Sequence, residues 1–314
     1  MKLRIIFNPK SGRPRRNAPI LPLLKAYLKA RAPGADLVCT EGPGHATELA
    51  RDAVASGFER VVAVGGDGTV NEVAQALIYT PVAMGLVPCG SGNGLALHLG
   101  LPRSLGDALE LAAGLSGRLA AIDTGVVNGL PFVNAMGLGL DADVAQRFNQ
   151  LTSRGLPTYA RTALSAFLNR RTERFHVTAD GRREGMDALL VAVANSDQYG
   201  NNARIAPRAR VDDGALDLVV IAPVGLISAC MIGARLFAGN LDRSGRVRRL
   251  RGAGFTVERS GPGVIHTDGE THQAGALLEV AVRARSLRLV VPAACAAVAE
   301  AARPAKSGFA LQLP

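Results

Sequence analysis

The sequence predicts an α/β unit followed by a β unit: a doubly wound α/β domain, then an antiparallel β domain carrying a few helices. Three observations predict this. Over the first ~120 residues, short apolar runs alternate with helical patterns, as in a mostly parallel sheet covered on both faces. At Asn128-Gly129, two strand-like runs meet across a two-residue turn that favours a type I′ hairpin. Beyond it, strand-like runs recur with turn residues between them, the spacing of an antiparallel domain. The units are therefore placed at 1–127 and 128–291, with 292–314 packing back onto the first.

Leu3 to Phe7 is an apolar run and the first strand; it ends in Asn8-Pro9-Lys10-Ser11-Gly12, a turn cluster with a cation, followed by Arg13, Arg15 and Arg16. A helix over Leu23 to Ala30 stops before Pro33-Gly34, and Leu37 to Thr40 is the second strand. Gly42-Pro43-Gly44-His45 leads into a helix near Thr47 to Ser56, with His45 packing or capping there. Val61 to Val64 is a strand that runs into Gly65-Gly66-Asp67-Gly68. Thr69 and Glu72 read as the capping box of the next helix, whose apolar face is Val70, Val73, Ala74, Leu77 and Ile78. Val82 to Val87 is a strand that meets Cys89-Gly90-Ser91-Gly92-Asn93-Gly94, with a short helix over Leu95 to Leu99 and a second one capped by Ser104.

In the second unit, strands over Ala120 to Val127 and Leu130 to Ala135 flank the hairpin turn. Helices follow near Asp141 to Leu151 and Thr158 to Leu168. Further strands are expected at Phe175 to Ala179, Ala188 to Ala194, Leu216 to Ile221, Phe255 to Arg259, Val264 to Thr267, Leu277 to Val282 and Leu287 to Val291. Val224 to Phe237 reads as a packed helix, and Ala293 to Ala305 as a last helix. The basic clusters Asn169 to Arg174 and Arg243 to Arg251 are either solvated faces or a docking surface for anionic lipid.

Bulk composition narrows the partners. Lys plus Arg number 36 against 26 Asp plus Glu, a net charge of +10, which favours an anionic partner. Aromatics at 4%, with no Trp, leave few platforms for base stacking, so nucleic acid is excluded as the expected partner. Cys39, Cys89, Cys230 and Cys295 form no CxxC pair, which supports neither a zinc site nor a disulfide framework and fits a reducing cytosol. The longest uncharged stretch, Val224 to Ala234, falls short of the ~18–20 residues that span a bilayer, so membrane contact is expected to be peripheral.

The chemistry concentrates in the glycine turns. A strand, a glycine turn and a helix N-terminus together present bare backbone N–H groups to an anion, and phosphate is the usual one. Asp67 inside such a cradle makes sense if it holds Mg²⁺ or takes a proton from a hydroxyl. Neither a Walker A sequence nor HExxH occurs. Asn8-Pro9-Lys10-Ser11-Gly12, Gly65-Gly66-Asp67-Gly68-Thr69 and Gly90-Ser91-Gly92-Asn93 instead occur in this order and spacing. In these motifs the chain resembles the diacylglycerol kinase catalytic-domain family, which includes bacterial lipid kinases, sphingosine kinases and ceramide kinases.

The resemblance implies an α/β nucleotide-binding domain, a β-sandwich lipid domain, and ATP in the cleft between them. It implies that Asn8, Lys10, Ser11, Gly12, Thr40, Gly65 to Thr69, Asn71, Glu72, Gly90, Ser91, Gly92 and Asn93 line the nucleotide. Arg210-Val211-Asp212-Asp213-Gly214-Ala215 matches the family's Mg²⁺ loop, with the Asp213 carboxylate and the carbonyls of Arg210 and Ala215 as ligands. Asp268-Gly269-Glu270 reads as a hairpin turn, and in the family that Glu is the proposed general base; Asp67 and Glu270 stand as the two candidates. One position departs: bacterial diacylglycerol kinases usually carry Asp where this chain has Gly94, and in this the loop looks more like that of sphingosine and ceramide kinases, which have a small residue there.

The expected activity is an ATP- and Mg²⁺-dependent lipid kinase, acting on diacylglycerol to give phosphatidic acid or on a sphingoid base or ceramide. The rival readings are an NAD kinase and a binding module without turnover. The expected partners are the lipid substrate and an anionic membrane surface, with a homodimer left open. The expected location is cytoplasmic, at the inner membrane face.

Overall fold

The computed structural model describes residues 1–11, 20–114, 116–151, 155–170 and 172–299. The first unit is built on four parallel strands, β1 (Leu3–Phe7), β2 (Asp36–Cys39), β3 (Arg60–Gly65) and β4 (Ala83–Pro88), in the order β2-β1-β3-β4. Strands β1 and β3 are buried along their whole length, which is why they read as apolar runs and not as alternating ones. The polar exception, Arg4, is paired with Asp36 at 2.8 Å and Asp52 at 2.5 Å. Helix α1 (Ile20–Arg31) packs Leu24 and Leu28 on one face of this sheet, while α2 (His45–Ala55) and α3 (Asp67–Leu77) pack Ala50, Val73 and Leu77 on the other. After the short α4 (Gly94–His98), helix α5 (Leu105–Ala112) joins α1, its start capped by Ser104, whose Oγ accepts the Asp107 N–H at 3.1 Å. The sheet is therefore wound on both faces.

Strand β5 (Gly117–Val127) turns through Asn128-Gly129 into β6 (Leu130–Phe132). Both turn residues have positive φ, +46° and +87°, as a type I′ turn requires. Then come β7 (Ala135–Gly139), α6 (Leu140–Asn149), α7 (Leu156–Leu168), β8 (Glu173–Ala179), β9 (Arg182–Ala188), β10 (Leu190–Ala194), β11 (Gln198–Gly200), β12 (Ala203–Arg204) and β13 (Leu216–Ile221). They are followed by α8 (Leu226–Ala238), β14 (Val247–Gly252), β15 (Gly254–Glu258), β16 (Gly263–Thr267), β17 (Glu270–Ala274) and β18 (Leu277–Pro292). Six of these strands form an antiparallel sheet, β14-β13-β10-β7-β16-β17. It packs face to face on β8, β15 and the first half of β18 through Met136, Leu138, Phe175, Val193, Phe255 and Val280, which makes a sandwich.

The two units share β5 and β18. These pair antiparallel from Val280↔Val127 to Pro292↔Gly117, and β18 also runs parallel to β4 at Leu289↔Met84. The sequence predicts two strands where β18 is one; the gap between them is a bulge at 283–287, with Arg285 at φ +49° and its N–H held by Asp123 Oδ1 at 2.7 Å.

Some expectations are corrected, and others gain detail. Thr69 is not an N-cap: α3 starts at Asp67, and the Thr69 hydroxyl turns inward to accept from Asn8 Nδ2 at 3.0 Å. Glu72 caps the neighbouring helix instead, accepting the Ala46 N–H of α2 at 3.0 Å. The basic run at 243–251 contains strand β14, whose Arg248, Arg249 and Arg251 are ion-paired with Glu184, Asp217 and Asp213. The stretch read as a packed helix, 224–237, is α8 over most of its length; it packs through Ala229, Ile232 and Leu236, though none of its residues is fully buried. Residues 293–299 are turns, not helix, and pack back on the first unit through Cys295 and Val298; the rest of that expected helix, and Gly12, Arg13, Arg15 and Arg16, lie outside the described residues.

Candidate active site

Three strand ends meet at the carboxyl edge of the parallel sheet, where ligands of such sheets bind. Past β1 the chain turns at Asn8, whose N–H reaches the Val64 carbonyl at 3.0 Å, and past β4 the Cys89 N–H reaches the Gly65 carbonyl at 2.8 Å. The two glycine loops touch through bare backbone: a Cβ on Gly90 would stand 2.6 Å from the Gly66 Cα. Asn93, at φ +54°, closes its own loop by accepting the Gly90 N–H at 2.9 Å and donating to the Gly90 carbonyl at 2.8 Å. Gly90→Ala is accordingly expected to pry the loops apart, costing about 1–3 kcal/mol of stability by overpacking. Thermal melts with and without ATP would show it as a lowered midpoint and a smaller nucleotide-induced shift.

Asp67 is the clasp between the loops. Its Oδ2 accepts the Asn93 N–H and its Oδ1 the Gly94 N–H, both at 2.7 Å. Burial pushes its pKa up, and these amide bonds work against the rise. The second loop is in turn pinned to the second unit: Asn201 donates its N–H to the Gly92 carbonyl at 3.0 Å, and His98 Nδ1 lies 2.6 Å from Asp197 Oδ1. A Cβ on Gly94 would stand 3.3 Å from the Gln198 carbonyl, so the β11 backbone leaves little room for a side chain at this position.

From the loops a cavity of about 750 Å³ opens toward the second unit. Asn8, Lys10, Ser11, Gly66 to Thr69, Gly90, Ser91 and Gly92 line its first end. Thr40, Gly65, Asn71, Glu72 and Asn93 are not among its walls. Thr40 is buried at the end of β2 with its N–H on the Phe7 carbonyl at 2.9 Å, and Asn71 is buried in α3.

The middle of the cavity is polar. Asp268, at φ +50° in the β16–β17 turn, accepts the N–H groups of Val133, Asn134 and Ala135 at 2.7, 2.8 and 3.0 Å. Burial nevertheless pushes its pKa up to about 6. Glu270 opens β17 and reaches over the start of α3, its Oε1 3.8 Å from where a Cβ on Gly68 would be. Its carboxylate has no hydrogen-bond partner among the described residues, and its pKa is raised by burial and by the charges of Glu72 and Asp268. Sequence reasoning missed Asp141, Tyr199 and His266 here: His266 Nε2 lies 2.9 Å from Asp141 Oδ2, and the Tyr199 hydroxyl donates to the same oxygen at 2.5 Å. Burial alone would push the His266 imidazole down, but Asp141 and Asp268 outweigh it and its pKa is raised.

The far end is apolar and was not legible as a site. Leu140, Val144 and Phe148 of α6, Leu164 and Phe167 of α7, and Ile232, Leu236 and Phe237 of α8 enclose it over the outer face of the β10–β13 sheet. Outside, α8 leaves Ile227 80% and Met231 55% exposed. Among the described residues no helix is long and apolar enough to cross a membrane.

The loop Arg210 to Ala215 is not among the walls of this cavity. The Asp213 carboxylate pairs with Arg251 and accepts the Ala215 N–H at 3.2 Å, while the Gly214 N–H goes to buried Asp123 Oδ2 at 2.7 Å. Among the described residues no cluster of acidic, His or Cys side chains could cage a metal ion. The carboxylate expected to hold Mg²⁺ is thus engaged by the Arg251 guanidinium in this arrangement.

A family described as the diacylglycerol kinase catalytic domain matches residues 2–127, and one described as a YegS C-terminal NAD kinase beta sandwich-like domain matches residues 134–291. A "Probable lipid kinase YegS-like" of Pseudomonas fluorescens is 31% identical over 277 residues, covering 86% of this chain and 90% of that protein. A "Diacylglycerol kinase" of Bacillus subtilis is 27% identical over 276 residues, covering 86% and 89%. A crystal structure of a diacylglycerol kinase from Bacillus anthracis superposes with a TM-score of 0.73 at 22% identity, covering 94% of this chain and 98% of that one, a likeness of fold.

Proposed function

This chain belongs to the diacylglycerol kinase catalytic-domain family of lipid kinases, and from that premise we propose that it transfers the γ-phosphoryl group of ATP to a lipid hydroxyl, with diacylglycerol the first candidate. The observation that carries the reading is the cavity's gradient: bare amides of the glycine loops at one end, carboxylates in the middle, and an apolar sleeve of three helices at the other.

The triphosphate lies along Gly66 to Thr69 and Gly90 to Gly92, with Lys10 as a nearby cation, and Mg²⁺ enters as part of the nucleotide substrate. No step is assigned to a metal at Asp213. The acyl chains fill the sleeve, which leaves the hydroxyl at the carboxylates. Its oxygen attacks the γ-phosphorus as the bond to the β-phosphate oxygen breaks, ADP leaves, and the hydroxyl proton passes to Glu270. Glu270 suits the base role better than Asp67, because both Asp67 oxygens already hold amides. The raised pKa of Glu270 brings a carboxylate nearer to the working pH of a base.

The test is a panel of diacylglycerol, sphingoid base, ceramide and NAD incubated with ATP and read by mass spectrometry. Phosphatidic acid is the expected product. A phosphorylated sphingoid base or ceramide would move the substrate class, and phosphorylated NAD alone would end the lipid reading.

The site of action proposed is the cytoplasmic face of a membrane, touched by the exposed apolar side of α8. Ile227→Asp combined with Met231→Asp is expected to weaken cosedimentation with phosphatidylglycerol-containing vesicles at least tenfold. Turnover on detergent-dispersed lipid should be kept. Unchanged cosedimentation would remove α8 from the contact.

A further inference from the structure

We propose that α6 is the splint that aims Glu270, with His266 and Asn149 as positioning residues that grip Gly269 from its two sides. The inference rests on Glu270 being the base. Glu270 has no hydrogen bond of its own to hold its carboxylate among the described residues, so the backbone of the Asp268-Gly269-Glu270 turn decides where it points. That turn is held at the peptide groups flanking Gly269. The Gly269 N–H donates to His266 Nδ1 at 3.3 Å, and Asn149 Nδ2 donates to the Gly269 carbonyl at 2.8 Å.

Both grips lead to one helix. Asn149 is the last residue of α6, and Asp141, near its start, takes the His266 Nε2–H at 2.9 Å. A hydrogen bond at one imidazole nitrogen sets the role of the other: in the neutral imidazole, with Nε2 donating to Asp141, Nδ1 is left as an acceptor for Gly269, whereas the imidazolium, which Asp141 and Asp268 favour, would lose that grip and leave the turn to Asn149. The pair is 5% and 6% exposed, so it is a buried polar contact that costs desolvation and needs a structural or functional return. Gly137 makes room for it, since a Cβ there would collide with both Asp141 Oδ2 and His266 Nε2. The same helix turns Val144 and Phe148 into the apolar end of the cavity, so the element that meets the acyl chains also holds the turn that carries the base.

Asn149 is exposed, which makes it the cleanest probe. Asn149→Ala is expected to lower kcat about tenfold, since a displacement near 1 Å can cost up to about 10²-fold. KM for ATP and the thermal midpoint should be unchanged. Its acid limb in kcat against pH should move to lower pH, because a displaced Glu270 leaves the charges that raise its pKa. The titratable groups facing it are Glu72 and Asp67 from α3, Asp268 in its own turn, His272 on β17, the Asp141–His266 pair behind, and Lys10 across the cleft. His266→Asn keeps an acceptor near Nδ1, whereas His266→Gln keeps reach to Asp141 and loses that acceptor. The Asn variant should therefore turn over faster than the Gln variant.

Wild-type kcat and acid limb in Asn149→Ala, or a Gln variant at least as fast as the Asn variant, would overturn the proposal. If both His266 variants fail to fold, Asn149→Ala decides alone. Glu270→Gln separates the two layers. If it is inactive while the positioning variants behave as wild type, only the splint is wrong; if it keeps turnover, the base assignment fails and the splint with it.

Discussion

Glu270→Gln should lower kcat about 10²–10⁴-fold, the usual worth of a positioned general base. ATP affinity should be nearly unchanged. The side chain stands over Gly68 at the start of α3 without a hydrogen-bond partner among the described residues, so the amide costs the fold little. In the wild-type enzyme the base must be ionised, so kcat falls as pH drops through the Glu270 pKa. Burial and the charges of Glu72 and Asp268 raise that pKa, so the acid limb should sit above the ordinary glutamate range. A pH series of kcat on the wild type and single-turnover rates on the variant check both points. A Gln variant within about threefold of wild type would take Glu270 out of proton transfer.

Asp67→Asn should fail differently. The carboxylate accepts from Asn93 and Gly94 with separate oxygens, and an Asn can present only one acceptor; its NH₂ would face the other N–H. One buried amide is then left unsatisfied, at about 1–3 kcal/mol. The loops should part, KM for ATP should rise, and the thermal midpoint should fall along with kcat. Calorimetric nucleotide titration and thermal melts distinguish this from the Glu270 result. An Asp67→Asn protein with wild-type melting and wild-type ATP affinity, but no turnover, would transfer the base role to Asp67.

The parts legible in the sequence are those decided within a few residues. β1 and β3 read as buried strands because both faces of a central parallel strand are covered. Asn128-Gly129 announces its turn because few other pairs tolerate two positive φ values in succession. Ser104 caps α5 as expected, its Oγ accepting the Asp107 N–H. The same local logic failed at Thr69 and Glu72, where the expected capping box lost to tertiary partners, Asn8 and the start of α2. It failed at β14 because a run of arginines has no strand periodicity of its own. Only acids from distant segments, Glu184, Asp217 and Asp213, make the strand affordable.

By itself, then, the sequence determined the order of strands and helices in the first unit, the two glycine loops and the family whose motifs they match, since each depends on short-range sterics and local hydrogen bonding. Tertiary structure alone decided that Asp67 is a clasp and that Glu270 is left without a hydrogen-bond partner among the described residues. It also decided that Asp141 meets His266 and that three helices enclose an apolar sleeve. Those outcomes depend on which groups, far apart in the chain, come within hydrogen-bond reach or share a buried wall, and no residue-by-residue pattern encodes that choice.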